Sequence, residues 1–513
     1  MIMKKNIFKG LLLAMLAAPM LTSCELDQYP TSSIPNEESW ESISDVANFN
    51  VGIRSMLRGV SCVGWYDTDL QADYYQPGTG YGNNGGTTYN WSFTSRDMEG
   101  LWSSMYSAII QTNNFLNNCD RIEVKAEDYD KEEDFNIDVA RFSQFKSEAH
   151  FVRAYAYLNT AIRYCKDYEP ATADTDLGLP LVTEVDINAK PARSTLAATF
   201  KFIKDDLAAA RENNKVDELI SLNNSDFEVT PVMIDFLEAR CNLYMHNYDE
   251  AITLAQSLID NPDYQLATSD AELINQLTND MGSEYIYVAF ADRTEGAVDY
   301  STYFAWNTSE EVYSPYFLLA KSTIDAYSDN DIRKAAFFVT ADFPVKQMQE
   351  KADGVVLFNK FPSGNENLNT SSDDPAHTYK HAKKPFRIAE MYLVAAEAAY
   401  RNGDELKAQQ YLSGLTEARG LGATSLIGEP LWNEIKMEWF REFIGEGQRL
   451  DGLKRWHEGF TRSGEMQSPN LIMQADRSRN IELSVDANDP RFVWEIPYND
   501  LLSNPNLEKN WNF

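Results

Sequence analysis

Two helices joined by a turn of three residues, with alanine where they must meet, constrain this chain more than any other feature. The stretch from Phe386 to Gly420 reads FRIAEMYLVAAEAAYRNGDELKAQQYLSGLTEARG. Its first half carries Ile388, Met391, Tyr392, Val394, Ala395, Ala396, Ala398 and Ala399, apolar on nearly every side, as a helix buried among helices requires. One-methyl side chains let a neighbouring helix come close. Asn402-Gly403-Asp404 supplies a residue that tolerates the left-handed conformation and then an N-cap. Leu406, Ala408, Tyr411, Leu412 and Leu415 recur behind it at helical spacing, so the second helix can fold back on the first.

The pattern occurs twice. In FLEARCNLYMHNYDEAITLAQSLID, from Phe236 to Asp260, Ala239, His246, Ala251 and Leu258 stand at the offsets of Ala396, Gly403, Ala408 and Leu415. That spacing is the one of a tetratricopeptide-like helix hairpin, and it predicts an all-α fold of such hairpins. His246 occupies the place of the turn glycine, so the neighbouring Asn247 is expected to take the left-handed conformation.

The chain opens on Lys4, Lys5 and Lys9, an apolar run from Leu11 to Leu21 too short to span a bilayer, and Leu21-Thr22-Ser23-Cys24. This resembles a bacterial lipoprotein signal over residues 1–23, with Cys24 as the lipidated first residue of the mature protein. Glu25 and Asp27 follow it, which resembles a surface-export signal. The formal charge of −33 repels polyanions, so nucleic acid is a poor partner. No second apolar run of 18 residues occurs, so membrane attachment is expected through the lipid alone. Cys62, Cys119, Cys165 and Cys241 remain; Cys165 and Cys241 lie in apolar helical patterns and are expected to be plain buried thiols.

A helix capped at Ser44-Asp45 is predicted to end near Val60. Others are predicted from near Met98, over Phe142 to Tyr164, Thr195 to Asn213 and Glu434 to Trp456. Between the first two lies GWYDTDLQADYYQPGTGYGNNGGTTYNW, Gly64 to Trp91, aromatic and glycine-rich with no period. It reads as a long functional loop. From Ser283 to Lys384 the pattern loosens into strand-like runs, Tyr285 to Phe290 and Val355 to Phe361, around a second aromatic cluster that includes Tyr300, Tyr303 and Trp306.

The ordered series AHFVRAYAYL to LGLPLV, VTPVMIDFLEARCNLYM, RIAEMYLVAAEAAYRNGD, REFIGEGQRLDGLKRW and EIPYNDLLSNPNLEKNW, behind the lipobox, resembles the SusD/RagB family of outer-membrane nutrient-binding lipoproteins. The resemblance covers almost the whole mature chain, and the details ARG at Ala418 to Gly420 and the C-terminal NW are closer to RagB. It implies a single domain over residues 24–513, with an N-terminal part to about 225 and a C-terminal part from about 226. It also implies helix hairpins under a loop-rich binding face, and a SusC/RagA-like TonB-dependent transporter as partner. The family's place is the outer membrane, lipid-anchored and facing the cell exterior.

Motifs suggestive of catalysis or cofactors lack their context. Gly80, Gly82 and Gly85 match the dinucleotide-binding expression, but no strand precedes them and no helix follows. Asp174, Asp176 and Gly178 resemble the start of a calcium loop, yet Val185 stands where its glutamate belongs. His150, His246, His377, His381 and His457 show no zinc-ligand spacing; His377 and His381 are expected in a solvated loop. Glu442 and Glu446 read as ion-pair residues, with Arg441, Arg449 and Arg455 holding their helix to its neighbours.

The reading is therefore a non-enzymatic receptor without cofactor or metal, for an oligosaccharide, or alternatively an oligopeptide. A protein-binding tetratricopeptide scaffold is the third reading. A sugar ring needs flat aromatic surfaces edged by amides and carboxylates. The loop offers Trp65, Tyr66, Tyr74, Tyr75, Tyr81 and Trp91, with Asp67, Asp73, Asn83 and Asn84 as polar partners. Tyr300, Tyr303 and Trp306 are expected to complete the face.

Overall fold

The computed structural model describes residues 39–78, 85–186, 188–347, 350–468, 471 and 482–511. Cys24, Tyr81, Asn83 and Asn84 therefore lie outside the described residues. The helices used below are α1 (Ile43–Val60), α2 (Trp65–Gln71), α3 (Glu99–Cys119), α4 (Glu132–Tyr164), α5 (Leu196–Asn213), α6 (Pro231–Tyr244), α7 (Tyr248–Ile259), α8 (Ile388–Arg401), α9 (Glu405–Ala418), α10 (Gly428–Glu442) and α11 (Arg449–Trp456). The fold is helical, with short strands at Tyr75–Pro77, between α7 and α8 and near the C-terminus.

Local chemistry explains most boundaries. Thr195 caps α5 by accepting the Ala198 N–H, and Thr230 caps α6 from the Met233 N–H ahead of Pro231 at the first helical position. Ser42, not Ser44, starts α1, in a capping box with Asp45. The long helix α4 begins ten residues before the predicted Phe142. Its first turns are exposed and acidic, so no apolar period marks them, while Glu132, Glu133 and Asp134 favour the positive N-terminal end.

Both predicted hairpins form, α6 on α7 and α8 on α9, and α7 packs on α8 to join them. Ala251, Ala255, Ala395, Ala396, Ala398 and Ala399 are all buried at these crossings. Gly414 serves the same close approach, since a Cβ there would stand 2.7 Å from the Tyr392 ring. The two turns are built alike: Asp404 N–H reaches back to the Ala399 carbonyl and Asn247 N–H to that of Asn242, each at 2.9 Å. The left-handed residue is His246 itself, at φ +60, matching Gly403 at φ +82. Asn247 has a negative φ, −85, and serves as N-cap residue, which corrects the expectation.

The predicted helix from Glu434 to Trp456 is two helices, α10 and α11. Gly445 at φ +81 and Gly447 at φ +69 cannot continue a right-handed helix, and the chain turns between them.

Two hydrophobic clusters result. One spans the helices and gathers the C-terminal Trp494 and Trp511. The other is built from strands, loops and mostly short helices around Tyr74, Tyr75, Phe317, Phe337 and Phe358. A buried ionic cluster joins them. Arg419, after α9, binds Glu284 at 2.7 Å and Glu442 at 2.9 Å; Arg387, before α8, binds Glu284, Glu442 and Glu446; Arg333 binds Asp331, Glu438 and Glu442. Burial alone would raise the pKa of Glu442, but the guanidiniums of Arg419, Arg387 and Arg333 outweigh it and hold the carboxyl well below its usual range.

Candidate ligand-binding pocket

The turn between α10 and α11 positions the pocket's first wall. Gly445 N–H donates to Asp69 Oδ2 at 2.7 Å, and Thr68 Oγ1 donates to the Gly447 carbonyl at 3.2 Å. A Cβ on Gly447 would come within 2.8 Å of Trp65 Cα, so only glycine lets α2 lie this close. The start of α2 then presents Trp65 and Tyr66, both half-buried, with Asp67 exposed beside them.

The second wall comes from the loosely patterned region. Val298–Asp299 pairs with Lys380–His381, and Asp299 Oδ1 accepts the Ser301 N–H at 2.8 Å, turning the chain into a short 3-10 helix, Ser301–Tyr303. Tyr300 lies flat on Phe361 with centroids 3.8 Å apart, and Tyr303 meets the Tyr66 ring edge-on at 5.5 Å. Between these walls opens a pocket of about 240 Å³ lined by Cys62, Gly64, Trp65, Tyr66, Asp67, Val298, Asp299, Tyr300, Thr302, Tyr303, Lys383 and Gly445.

Its chemistry is aromatic, with a polar rim. Burial pushes the phenols of Tyr66, Tyr300 and Tyr303 above their ordinary pKa, so they act as neutral hydrogen-bonding groups. Loss of hydration pushes the Cys62 thiol up to about 12, which keeps it protonated and a poor nucleophile. Lys383 Nζ is tied to the Arg58 and Gly59 carbonyls at the end of α1, at 2.9 and 3.0 Å. Flat rings bordered by Asp67, Asp299 and Thr302 suit a ligand with an apolar face and a hydroxyl rim.

Five residues singled out from the sequence thus meet in one place: Trp65, Tyr66, Asp67, Tyr300 and Tyr303. The other described candidates do not join them. Tyr74 is buried with its hydroxyl donating to the Phe440 carbonyl at 2.9 Å, and Tyr75 is buried in a strand paired with Phe317–Leu319. Trp91 is buried and donates its indole N–H to the Gln71 carbonyl at 2.8 Å. These three are core residues, which corrects their expected role as platforms; a period-free aromatic stretch looks the same whether it lines a pocket or fills a core. Asp73 is chelated by Arg449, both contacts at 2.9 Å, which overrides the effect of burial and holds it below the usual carboxylate range. Trp306 stacks on His377 at 4.0 Å, away from the pocket.

Other expectations divide the same way. His381 is fully buried between Asp280 and the Pro362 carbonyl, not in a solvated loop. Glu442 and Glu446 are ion-pair residues as read, and Arg449 and Arg455 reach to Asp73 and Glu397. Asp299, Thr302, Lys383 and Gly445 went unnoticed in the sequence; the two closely spaced glycines at 445 and 447 were the one available signal. The described cysteines are free thiols.

Known proteins share this fold. A family model described as "SusD family" matches residues 259–513, and one described as "Starch-binding associating with outer membrane" matches residues 33–219. The chain is 22% identical to the SusD-like protein P38 of Formosa agariphila, over 97% of each chain. A SusD superfamily protein from Bacteroides thetaiotaomicron superposes with a TM-score of 0.71 at 22% identity, covering 92% of this chain and all of that one. A SusD-like carbohydrate binding protein from Bacteroides vulgatus gives 0.67 at 19% identity, covering 92% and 98%. No helix among the described residues is long and apolar enough to cross a membrane.

Proposed function

The chain belongs to the SusD/RagB family, and we propose that it captures an oligosaccharide at the cell surface and passes it, unaltered, to a SusC-like TonB-dependent transporter. The observation that carries this reading is the meeting of Trp65, Tyr66, Tyr300 and Tyr303 in one pocket with carboxylates and a hydroxyl at its edge. Aromatic faces take up the C–H side of a sugar ring, and Asp67, Asp299 and Thr302 take its hydroxyls. The printed descriptions of relatives as starch-binding and carbohydrate-binding agree with it. A tetratricopeptide scaffold finds less support, since the alanine faces of the hairpins are buried against one another. Cys24 is the lipid anchor in this reading, and several acyl chains at about 0.8 kcal/mol per buried CH₂ make it effectively permanent.

Calorimetric titration of the purified chain with oligosaccharide and oligopeptide panels tests the substrate. Tyr66→Ala combined with Tyr300→Ala is expected to weaken the best sugar by roughly thirtyfold, about 2 kcal/mol, with thermal unfolding little changed. Binding of peptides but no sugars, or full affinity in the double variant, overturns the reading. Cys24→Ala is expected to move the chain out of the membrane fraction; unchanged retention in cells lacking the transporter would refute the anchor.

A further inference from the structure

We propose a second site, for a divalent transition-metal ion such as Zn²⁺, formed by Asp167, Glu169 and His457. One ligand atom from each of the three lies within 4.8 Å of the others. His457 Nε2 stands 3.0 Å from Glu169 Oε1 and 3.6 Å from Asp167 Oδ2. The independent sign of a missing ligand is Asp167 itself. It is only 7% exposed, lines a pocket of about 470 Å³, and neither carboxylate oxygen has a hydrogen-bond partner among the described residues.

A buried carboxylate without donors is costly, because it has given up the hydrogen bonds of water without gaining others in exchange. Its protein neighbours do not repair this. A second imidazole, His246 Nε2, lies at 3.8 Å from Oδ2, beyond hydrogen-bonding distance. Lys454 is close enough to feel the charge, but its ammonium is committed to the Ile162 and Cys165 carbonyls. One imidazole nitrogen with two carboxylate oxygens suits a borderline cation such as Zn²⁺, which here would keep an open coordination position toward the pocket.

The location gives the ion a structural consequence. Asp167 and Glu169 follow the end of α4, whereas His457 is the left-handed residue that terminates α11. Glu169 and His457 are 288 residues apart in the chain, so a metal ion would clip the segment after α4 to the end of α11.

The test is a titration of chelator-treated, purified protein with zinc chloride by calorimetry, alongside thermal unfolding with and without the metal. The expected result is one ion bound per chain and a raised melting temperature. His457→Ala and Glu169→Gln, both at partly exposed side chains that the fold tolerates losing, should each weaken binding by roughly tenfold or more. His377→Ala, at an unrelated histidine, should leave it unchanged. Cobalt in place of zinc should give the visible absorption of a four-coordinate site in the parent and lose it in His457→Ala. The absence of saturable binding, or binding undiminished in both His457→Ala and Glu169→Gln, would overturn the proposal and leave Asp167 as a carboxylate hydrated from its pocket.

Discussion

The two hydrophobic clusters solve the burial problem in different currencies of side chain. The helical one brings backbones together over alanine, with Ala251, Ala255, Ala395, Ala396, Ala398 and Ala399 at its crossings. The loop-rich one is assembled mainly from short elements and fills its interior with rings instead: Tyr74, Tyr75, Tyr89, Phe304, Phe317, Phe337, Phe358 and Phe361. Rings carry large apolar area but need partners for their polar tips. Tyr74 accordingly reaches the Phe440 carbonyl, and Tyr327 reaches that of Arg441. The difference teaches that repetition makes a core legible and that aromatic content does not, because the same rings also line the ligand pocket.

The severest way to break the comparison is to cut the joint between the two clusters. Arg419 is wholly buried and holds Glu284 and Glu442, so Arg419→Met takes one of the paired guanidiniums from each of two buried carboxylates and is expected to cost about 4 kcal/mol. Denaturant unfolding should then lose its coincidence, with far-ultraviolet and near-ultraviolet dichroism reporting different midpoints. A single unshifted transition would show that the clusters hold together without the ion pairs. The pH dependence has a definite sign. Because the folded-state pKa of Glu442 is depressed, its contribution is complete above the ordinary glutamate value of 4.5 and is lost as pH falls through the lower folded value.

Tyr74→Ala sharpens the contrast between ring and platform. Removing a fully buried ring from the loop-rich cluster is expected to cost about 3 kcal/mol of stability, while Tyr66→Ala at the pocket costs affinity and little stability. Chemical denaturation of both variants decides it; a Tyr74→Ala chain as stable as its parent would return that residue to the list of possible ligand contacts.

Legibility followed the physics of range. Hairpins were visible because their partners are neighbours in the chain and repeat a period. The helix start at Thr195 and the break at Asn402 to Asp404 could be read locally for the same reason. The pocket was half visible: aromatic richness marked Trp65, Tyr66, Tyr300 and Tyr303, but could not separate them from Tyr74, Tyr75 and Trp91. What separates them is where distant parts of the chain cover each ring: Tyr75 is paired with Leu319, and the Tyr74 hydroxyl reaches a carbonyl 366 residues away. The ionic joint and the Asp167 cluster were invisible for the same reason, since no spacing rule links residues that meet only after folding.

The smallest expected effect is also the cleanest, because it compares two turns of one design. Gly403 and His246 occupy the same position, close the same backbone hydrogen bonds, and share a positive φ. A Cβ on Gly403 would meet nothing within 4 Å, so Gly403→Ala tests the backbone conformation alone. It should cost about 1 kcal/mol, the usual price of the left-handed region for a residue with a side chain. His246→Gly relieves that strain but gives up the ring stacked on Tyr248, centroids 5.5 Å apart, so its gain should be smaller, about 0.5 kcal/mol. Midpoints of denaturant unfolding for both variants would resolve the pair. If Gly403→Ala is neutral, the turn does not hold the left-handed conformation in solution, and the likeness of the two hairpins ends at their helices.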